Sequence, residues 1–274
     1  MLNTLEQTGK ILESVGIPAL PAVILEVKDE IDSPKTDFDK IVHLVKNDVS
    51  LAGTLMNIAN SHIFGDGRVD AVDKALMFLG VNAFYNILMA SSFKQVFGAI
   101  VPDTDNFYNH SQEVANTCAS IAKQQKVISS DVAYITGLFH DCGIPLLMKK
   151  FPDYAAIAAS AMGIVSADSL SGKEKSIIGI ENEKFETNHC VAGYLITTSW
   201  HLPESITNAI LYHHYIKMDI HEDLATKTLS ALLLFSEFVS KSNDYFDKGA
   251  YQNLDEWAGH HKKILEILDV TILP

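Results

Sequence analysis

A chain of 274 residues, 47% of them hydrophobic and with no long low-complexity stretch, is that of a folded globular protein, long for one domain and short for two. Its formal net charge of -13 and pI near 5.2 argue against a broad nucleic-acid surface, which needs clustered Lys and Arg to displace counterions from phosphates; no Lys/Arg run exceeds two residues. The start MLNTLEQTGKIL is neither basic nor continuously apolar, and no later stretch offers about 18 uninterrupted apolar residues, so neither export nor a membrane span is expected and the expected location is cytoplasmic.

Almost every segment carries the 3.6-residue apolar period and none a sustained alternation, which predicts an all-α fold. In IPALPAVILEVKDEID, Pro18 and Pro21 open a helix whose Val23, Ile24, Val27 and Ile31 share a face, and Pro34 ends it. Thr36 or Asp37 can cap the next helix, DFDKIVHLVKND, with Phe38, Ile41, Val42 and Val45 on its apolar side. The helix SLAGTLMNIANS begins at a serine cap and stops before HIFGDGR, where Gly65 and Gly67 supply permissive backbone. DAVDKALMFLG halts at Gly80, and VNAFYNILMASSFKQVF runs as one helix to Gly98.

AIVPDTDN, with Pro102, is the expected joint between a first lobe over 1–100 and a second over 101–274. Beyond it, helices are expected near 106–125, 130–141, 152–162, 184–200, 203–217, 224–241 and 253–268. The polar tract SADSLSGKEKSIIGIEN reads as a loop passing over the surface. Cys118, Cys142 and Cys190 cannot all pair and read as reduced, small buried side chains.

The informative question is where the metal-capable side chains sit on their own helices. The stretch GLFHDCGIP carries His140 and Asp141, but with 11 His and 20 Asp about 0.8 His-Asp pairs are expected by chance, so the dyad alone carries no weight. Context supplies it. His110 precedes Val114 by four residues on the row Phe107, Val114, Cys118, Ile121, which places it on a buried face. The helix leading to His140 is apolar on most sides through Val132, Tyr134, Ile135, Leu138 and Phe139, as expected of a central helix. His189 falls in the row Phe185, His189, Ala192, Ile196. His213 and His214 follow Ile210 at the third and fourth positions, and Leu229 and Leu233 lead by steps of four to Glu237. Five helices thus present a His or an acid where an apolar residue would continue the pattern, and buried polar groups have to be paired, either by a shared metal or by a shared hydrogen-bond network. His43, His62, His201, His221, His260 and His261 show no such placement.

The order His110, His140-Asp141, His189, His213-His214, Glu237 resembles the HD superfamily of metal-dependent phosphohydrolases. The first lobe, through LPALPAVILEVKDEIDSP, KNDVSLAGTLMNIANSHIFG and DAVDKALMFLGVNAFYNILMASSF, is similar to the N-terminal helical bundle of the HDOD family, the HD-related output domains of bacterial signalling proteins. With GLFHDCGIPLL, the stretch from Glu183 to Gly193 and WHLP, the resemblance spans about residues 15–240.

It implies a two-lobed helical fold, a helical bundle packed on an HD-like lobe. It also implies a regulatory module acting on a signalling protein partner, with the metal-site positions His110, His140, Asp141, His189, His213, His214 and Glu237. The cofactor expected there is one or two divalent ions, of iron, manganese, zinc or nickel. The alternative is a metal-dependent phosphohydrolase acting on a small phosphoester or cyclic dinucleotide, with Asp141 as its catalytic residue. Three departures bear on that alternative: Ile144 stands where HD-GYP phosphodiesterases carry a Lys, Tyr215-Ile216-Lys217 replace the GYP segment, and Glu237 falls where the late ligand is an Asp.

Overall fold

A computed structural model describes residues 2–65, 69–98, 100, 104–157, 177–214, 223–240 and 266–268. The elements are α1 (Leu2–Val15), α2 (Ala22–Ile31), α3 (Phe38–Asn47), α4 (Val49–Ala59), α5 (Val72–Leu79), α6 (Val81–Ser91), α7 (Phe93–Phe97), α8 (Thr104–Gln125), α9 (Ser130–Phe139), α10 (Ile144–Lys150), α11 (Ile177–Phe185), α12 (His189–Ser199), α13 (Glu204–Tyr212) and α14 (Leu224–Val239). No strand occurs among the described residues, so the fold is all-α as the periodicity implies. No described helix is long and apolar enough to cross a membrane.

From α2 onward the first half follows its punctuation closely. Pro21 occupies the N-cap of α2, and Ile24 and Val27 point into the core. Of the two candidate caps for α3, Asp37 takes the role, its carboxylate accepting from Lys40 N at 3.0 Å. The cap of α4 is Asp48 rather than a serine, accepting from Leu51 N at 2.9 Å, because the helix starts two residues earlier than its apolar pattern indicates. Gly80 ends α5 with φ +77°, a conformation a side chain would resist. Phe38, expected on the buried face of α3, is the helix's first residue and 52% exposed, while Ile41 and Val45 are buried.

Four other expectations are corrected. The helix running to Gly98 is broken at Ser92 into α6 and α7. The stretch 184–200 is two helices, parted by Glu186 at φ +56° and by Asn188, which caps α12. The last six residues of the tract read as a surface loop open α11, with Ile178 and Glu181 buried. Finally, α9 ends at Phe139, so His140 and Asp141 lie in the turn that follows rather than on the helix. Gly67, residues 99 and 101–103 of the joint around Pro102, residues 158–162 and 215–217 and most of 253–268 lie outside the described residues.

The position of α9 decides the site. It packs along the length of α8 and is also touched by α6, α13 and α14, so its C-terminal end is delivered into the interior. The α8–α9 approach depends on Gly137, where a Cβ would come within 2.7 Å of Ala115 Cα. An aromatic cluster holds the same region: Phe139 meets Phe93 edge-on at 5.2 Å and Trp200 at 5.5 Å. The Trp200 indole N–H donates to the Pro18 carbonyl at 3.0 Å, tying the end of α12 to the segment before α2. Meanwhile α1 lies on α10 and α12.

Two outcomes test this packing. Gly137→Ala would gain about 1 kcal/mol from helix propensity alone, but the backbone contact with Ala115 makes it overpacked, with an expected net loss of about 1–3 kcal/mol in urea denaturation; a gain in stability contradicts the close approach. Glu30 accepts from Lys40 Nζ at 2.6 Å and from Asp37 N at 2.8 Å, and these bonds hold its carboxyl below the usual range. Such a group stabilises the fold above its unfolded pKa, and the contribution disappears as pH falls through its lower folded pKa. Glu30→Gln is therefore expected to lower the melting temperature at neutral pH and to converge on the parent in acid; an equal deficit at both pH values contradicts the ion pair.

Candidate metal centre

The site is assembled from helix ends. At the end of α9 the unused carbonyl of Gly137 accepts from His140 Nδ1 at 2.7 Å, and at the end of α13 the Ile210 carbonyl accepts from His213 Nδ1 at 2.6 Å. A carbonyl only accepts, so both rings carry their proton on Nδ1 and turn Nε2 inward. The third ring is set by a carboxylate: His189 Nδ1 lies 2.9 Å from both Glu181 oxygens, and its backbone N–H donates to Glu181 Oε2 at 3.2 Å. Glu181 is fully buried and also accepts from the hydroxyl of Tyr154. This histidine–carboxylate pairing is the kind that orients metal-bound imidazoles.

Asp141 sits in the middle. Its Oδ2 is 3.1 Å from His140 Nε2 and 3.8 Å from His110 Nε2. Its Oδ1 is 3.5 Å from Nε2 of both His189 and His213, is buried, and makes no hydrogen bond. Glu237 Oε1 closes the group from α14, 3.7 Å from His140 Nε2 and 4.0 Å from His213 Nε2. The turn carrying Asp141 can reach α12 because Gly143 has no side chain; a Cβ there would meet the His189 carbonyl at 2.1 Å.

The structure thus brings His110, His140, Asp141, His189, His213 and Glu237 around one point. His214 lies one layer out, its ring 4.2 Å from that of His213 and 5.0 Å from that of His189. His43, His62 and His201 are exposed and fall in neither group of candidate ligands. Two residues not expected to matter also belong. Glu181 lies in the tract read as a loop, where Ile177, Ile178 and Ile180 were its one helical signal. Cys190, read as an inert core residue, has its sulfur 3.5 Å from His189 Nε2 and 3.6 Å from His213 Nδ1. Cys118 faces the Ser236 hydroxyl and Cys142 the Gly193 carbonyl, as core thiols do.

The electrostatics are those of concentrated negative charge out of water. Burial opposes charge on Asp141, but His140, His213 and His189 outweigh it and hold its carboxyl well below the usual range. Burial likewise raises the Cys190 thiol, yet His189 and His213 bring it below its ordinary value, whereas burial pushes Cys118 up to about 12. His189 and His213 are raised well above the ordinary imidazole value, the pull of Cys190 foremost overcoming burial. His110 is lowered to about 4 by burial and by His140, and His214 is lowered by burial and by His213.

These residues suit a divalent cation. Two groups have ligand atoms within metal-binding reach of one another: His110, His140 and Asp141, and His189, Cys190, His213 and His214. Asp141 joins the two, one oxygen toward each. With nitrogen and oxygen ligands at 2.0–2.2 Å, a tetrahedral ion holds them about 3.4 Å apart, close to the 3.5 Å separating Asp141 Oδ1 from His189 and His213.

Comparison with known proteins places this chain in a family. The HDOD domain model matches residues 17–216. An uncharacterized protein of Treponema pallidum (strain Nichols) is 24% identical over 217 residues, which are 76% of this chain and 40% of that protein, so the chain spans well under half of its relative. An HDOD domain protein from Geobacter sulfurreducens superposes with a TM-score of 0.70 at 19% identity, covering 97% of this chain and 87% of its own. A candidate phosphohydrolase from Shewanella amazonensis gives 0.65 at 20% identity over 96% and 89%. At such identities the likeness shows the fold.

Because Glu181 orients the His189 ring, Glu181→Gln is expected to weaken divalent-metal binding about 10- to 100-fold while leaving the helical circular dichroism intact. Competition against a chromophoric chelator measures it, and unchanged affinity removes Glu181 from the site.

Proposed function

This chain belongs to the HDOD family, and on that premise we propose that it is a signal-transduction module that acts through contacts with a protein partner and carries a divalent-metal centre. His110, His140, Asp141 and Glu237 would hold one ion, and Asp141, His189 and His213 a second, with His214 in the layer behind them. The ions that suit these imidazoles and carboxylates are zinc, iron, manganese and nickel.

The observation that carries the metal reading is the facing of acceptors. His140, His189 and His213 each donate Nδ1–H outward, so in their neutral forms three Nε2 lone pairs converge on the carboxylate of Asp141. Acceptors face acceptors in a buried space only if positive charge lies between them, as protons or as a metal ion. A metal ion competes with those protons and releases them on binding.

The regulatory reading is supported by enclosure. His110, His140, Asp141, His189 and His213 are each 3% exposed or less, which leaves a phosphoester little access to them. Ile144, at the position where a phosphodiesterase would use a lysine, is buried as the first residue of α10 and contributes no charge toward a phosphate. A resident ion in such a setting braces α8, α9, α12, α13 and α14 against one another.

The alternative, a metal-dependent phosphohydrolase, is favoured by the two-sided placement of Asp141 and by the named activity of the Shewanella amazonensis structure. There a divalent ion would act as a Lewis acid toward a phosphoryl oxygen. Asp141 would position it, and His110 with its low pKa of about 4 would stay neutral across the working range.

Elemental analysis of the purified protein, paired with assays on phosphomonoesters, phosphodiesters and cyclic dinucleotides, separates these readings. One or two bound ions per chain are expected, lost in Asp141→Ala, with no turnover above the blank. Metal-dependent turnover that disappears in Asp141→Ala would replace the regulatory reading with the hydrolase. Failure of the protein to retain or take up any divalent ion would remove the metal centre.

A further inference from the structure

We infer that Cys190 is a metal ligand, its thiolate completing a four-ligand set with His189, His213 and Asp141 that selects a thiophilic ion and leaves no open coordination position. The inference rests on the metal-centre reading above and assigns one side of that centre a sulfur donor.

The geometry comes from four side chains. A tetrahedral zinc with sulfur at about 2.3 Å and nitrogen at about 2.1 Å separates those two ligands by about 3.6 Å. Cys190 Sγ lies 3.5 Å from His189 Nε2 and 3.9 Å from His213 Nε2. Asp141 Oδ1 stands 3.5 Å from both of those nitrogens. It is buried and makes no hydrogen bond, its two imidazole neighbours lying at ligand-to-ligand distance. His189 and Cys190 are the first two residues of α12, which Asn188 caps, and their ligand atoms meet at 3.5 Å.

The two sides of Asp141 then differ in kind. Toward His110, His140 and Glu237 the donors are imidazole and carboxylate, acceptable to many divalent ions. Toward His189 and His213 the set is two imidazoles, one carboxylate oxygen and one thiolate. Protein zinc sites with four protein ligands are structural, whereas catalytic ones keep a position for water or substrate. The Cys190 side is of the first type, so any chemistry at this centre belongs to the other side. Metal binding there converts the Cys190 thiol to a thiolate, and its proton leaves to solvent.

Cobalt(II), used as a spectroscopic stand-in for zinc on chelator-stripped full-length protein, tests the assignment. The wild type is expected to show a near-ultraviolet sulfur-to-cobalt charge-transfer band with the strong visible absorption of four-coordinate cobalt. Cys190→Ser should lose the near-ultraviolet band while equilibrium dialysis still finds cobalt bound through the imidazoles. Cys142→Ser should keep the band. Bound cobalt without the band in the wild type, or a band that survives in Cys190→Ser, overturns the role of Cys190 and leaves the metal centre standing. Absence of any bound cobalt overturns the metal centre itself and this inference with it. Should Cys190→Ser fail to fold, zinc-edge X-ray absorption on the zinc-loaded wild type decides: a sulfur scatterer at about 2.3 Å is expected, and a shell of nitrogen and oxygen alone overturns the assignment.

Discussion

A carboxylate almost entirely removed from water has to be compensated, and the second half of this chain is arranged around that requirement at Asp141. Its compensation arrives from separate helices: His140 beside it, His110 from α8, His189 from α12 and His213 from the end of α13. None of these contacts is local except the first. The residues that make them possible are accordingly residues of close approach. Gly137 lets α9 lie against α8, and Gly143 lets the turn after Asp141 abut the backbone of His189. The surrounding aromatic packing of Phe93, Phe139 and Trp200 holds the end of α9 in place.

Around the first layer of donors lies a second that sets their direction. The carbonyls of Gly137 and Ile210 and the carboxylate of Glu181 fix which nitrogen of each imidazole faces inward. This economy uses acceptors already left over at helix ends, so the same atoms that terminate α9 and α13 orient the site. Ordering of this kind suits a centre that braces helices as well as one that performs chemistry. His110, His140, Asp141, His189 and His213 are buried, while Glu237 keeps part of its side chain exposed.

The all-α fold was legible because its signal is the repeat of apolar side chains every three or four residues, which the chain shows almost throughout. The inward placement of His110, His140, His189, His213 and Glu237 was legible for the same reason, since a polar residue interrupting an apolar row is visible without coordinates. Glu181 was not, because the polar, glycine-bearing residues before it mask a helix of nine residues whose burial comes from distant partners. Phe38 misled in the opposite direction: it continues an apolar row but is 52% exposed. The breaks at Ser92 and Glu186 have no proline to announce them, and only the backbone shows them.

The sequence by itself determined the helical class, most helix starts and stops, and which faces carry buried polar groups, because periodicity and capping are properties of neighbouring residues. Only the tertiary structure decided which of those groups share a point, which ring nitrogen each turns toward it, and that Cys190 belongs among them while Cys118 and Cys142 do not. The physical reason is that a pattern along one helix reports the direction of a side chain but not what meets it. That depends on the distance between backbones, set here by two glycines and the packing around α9.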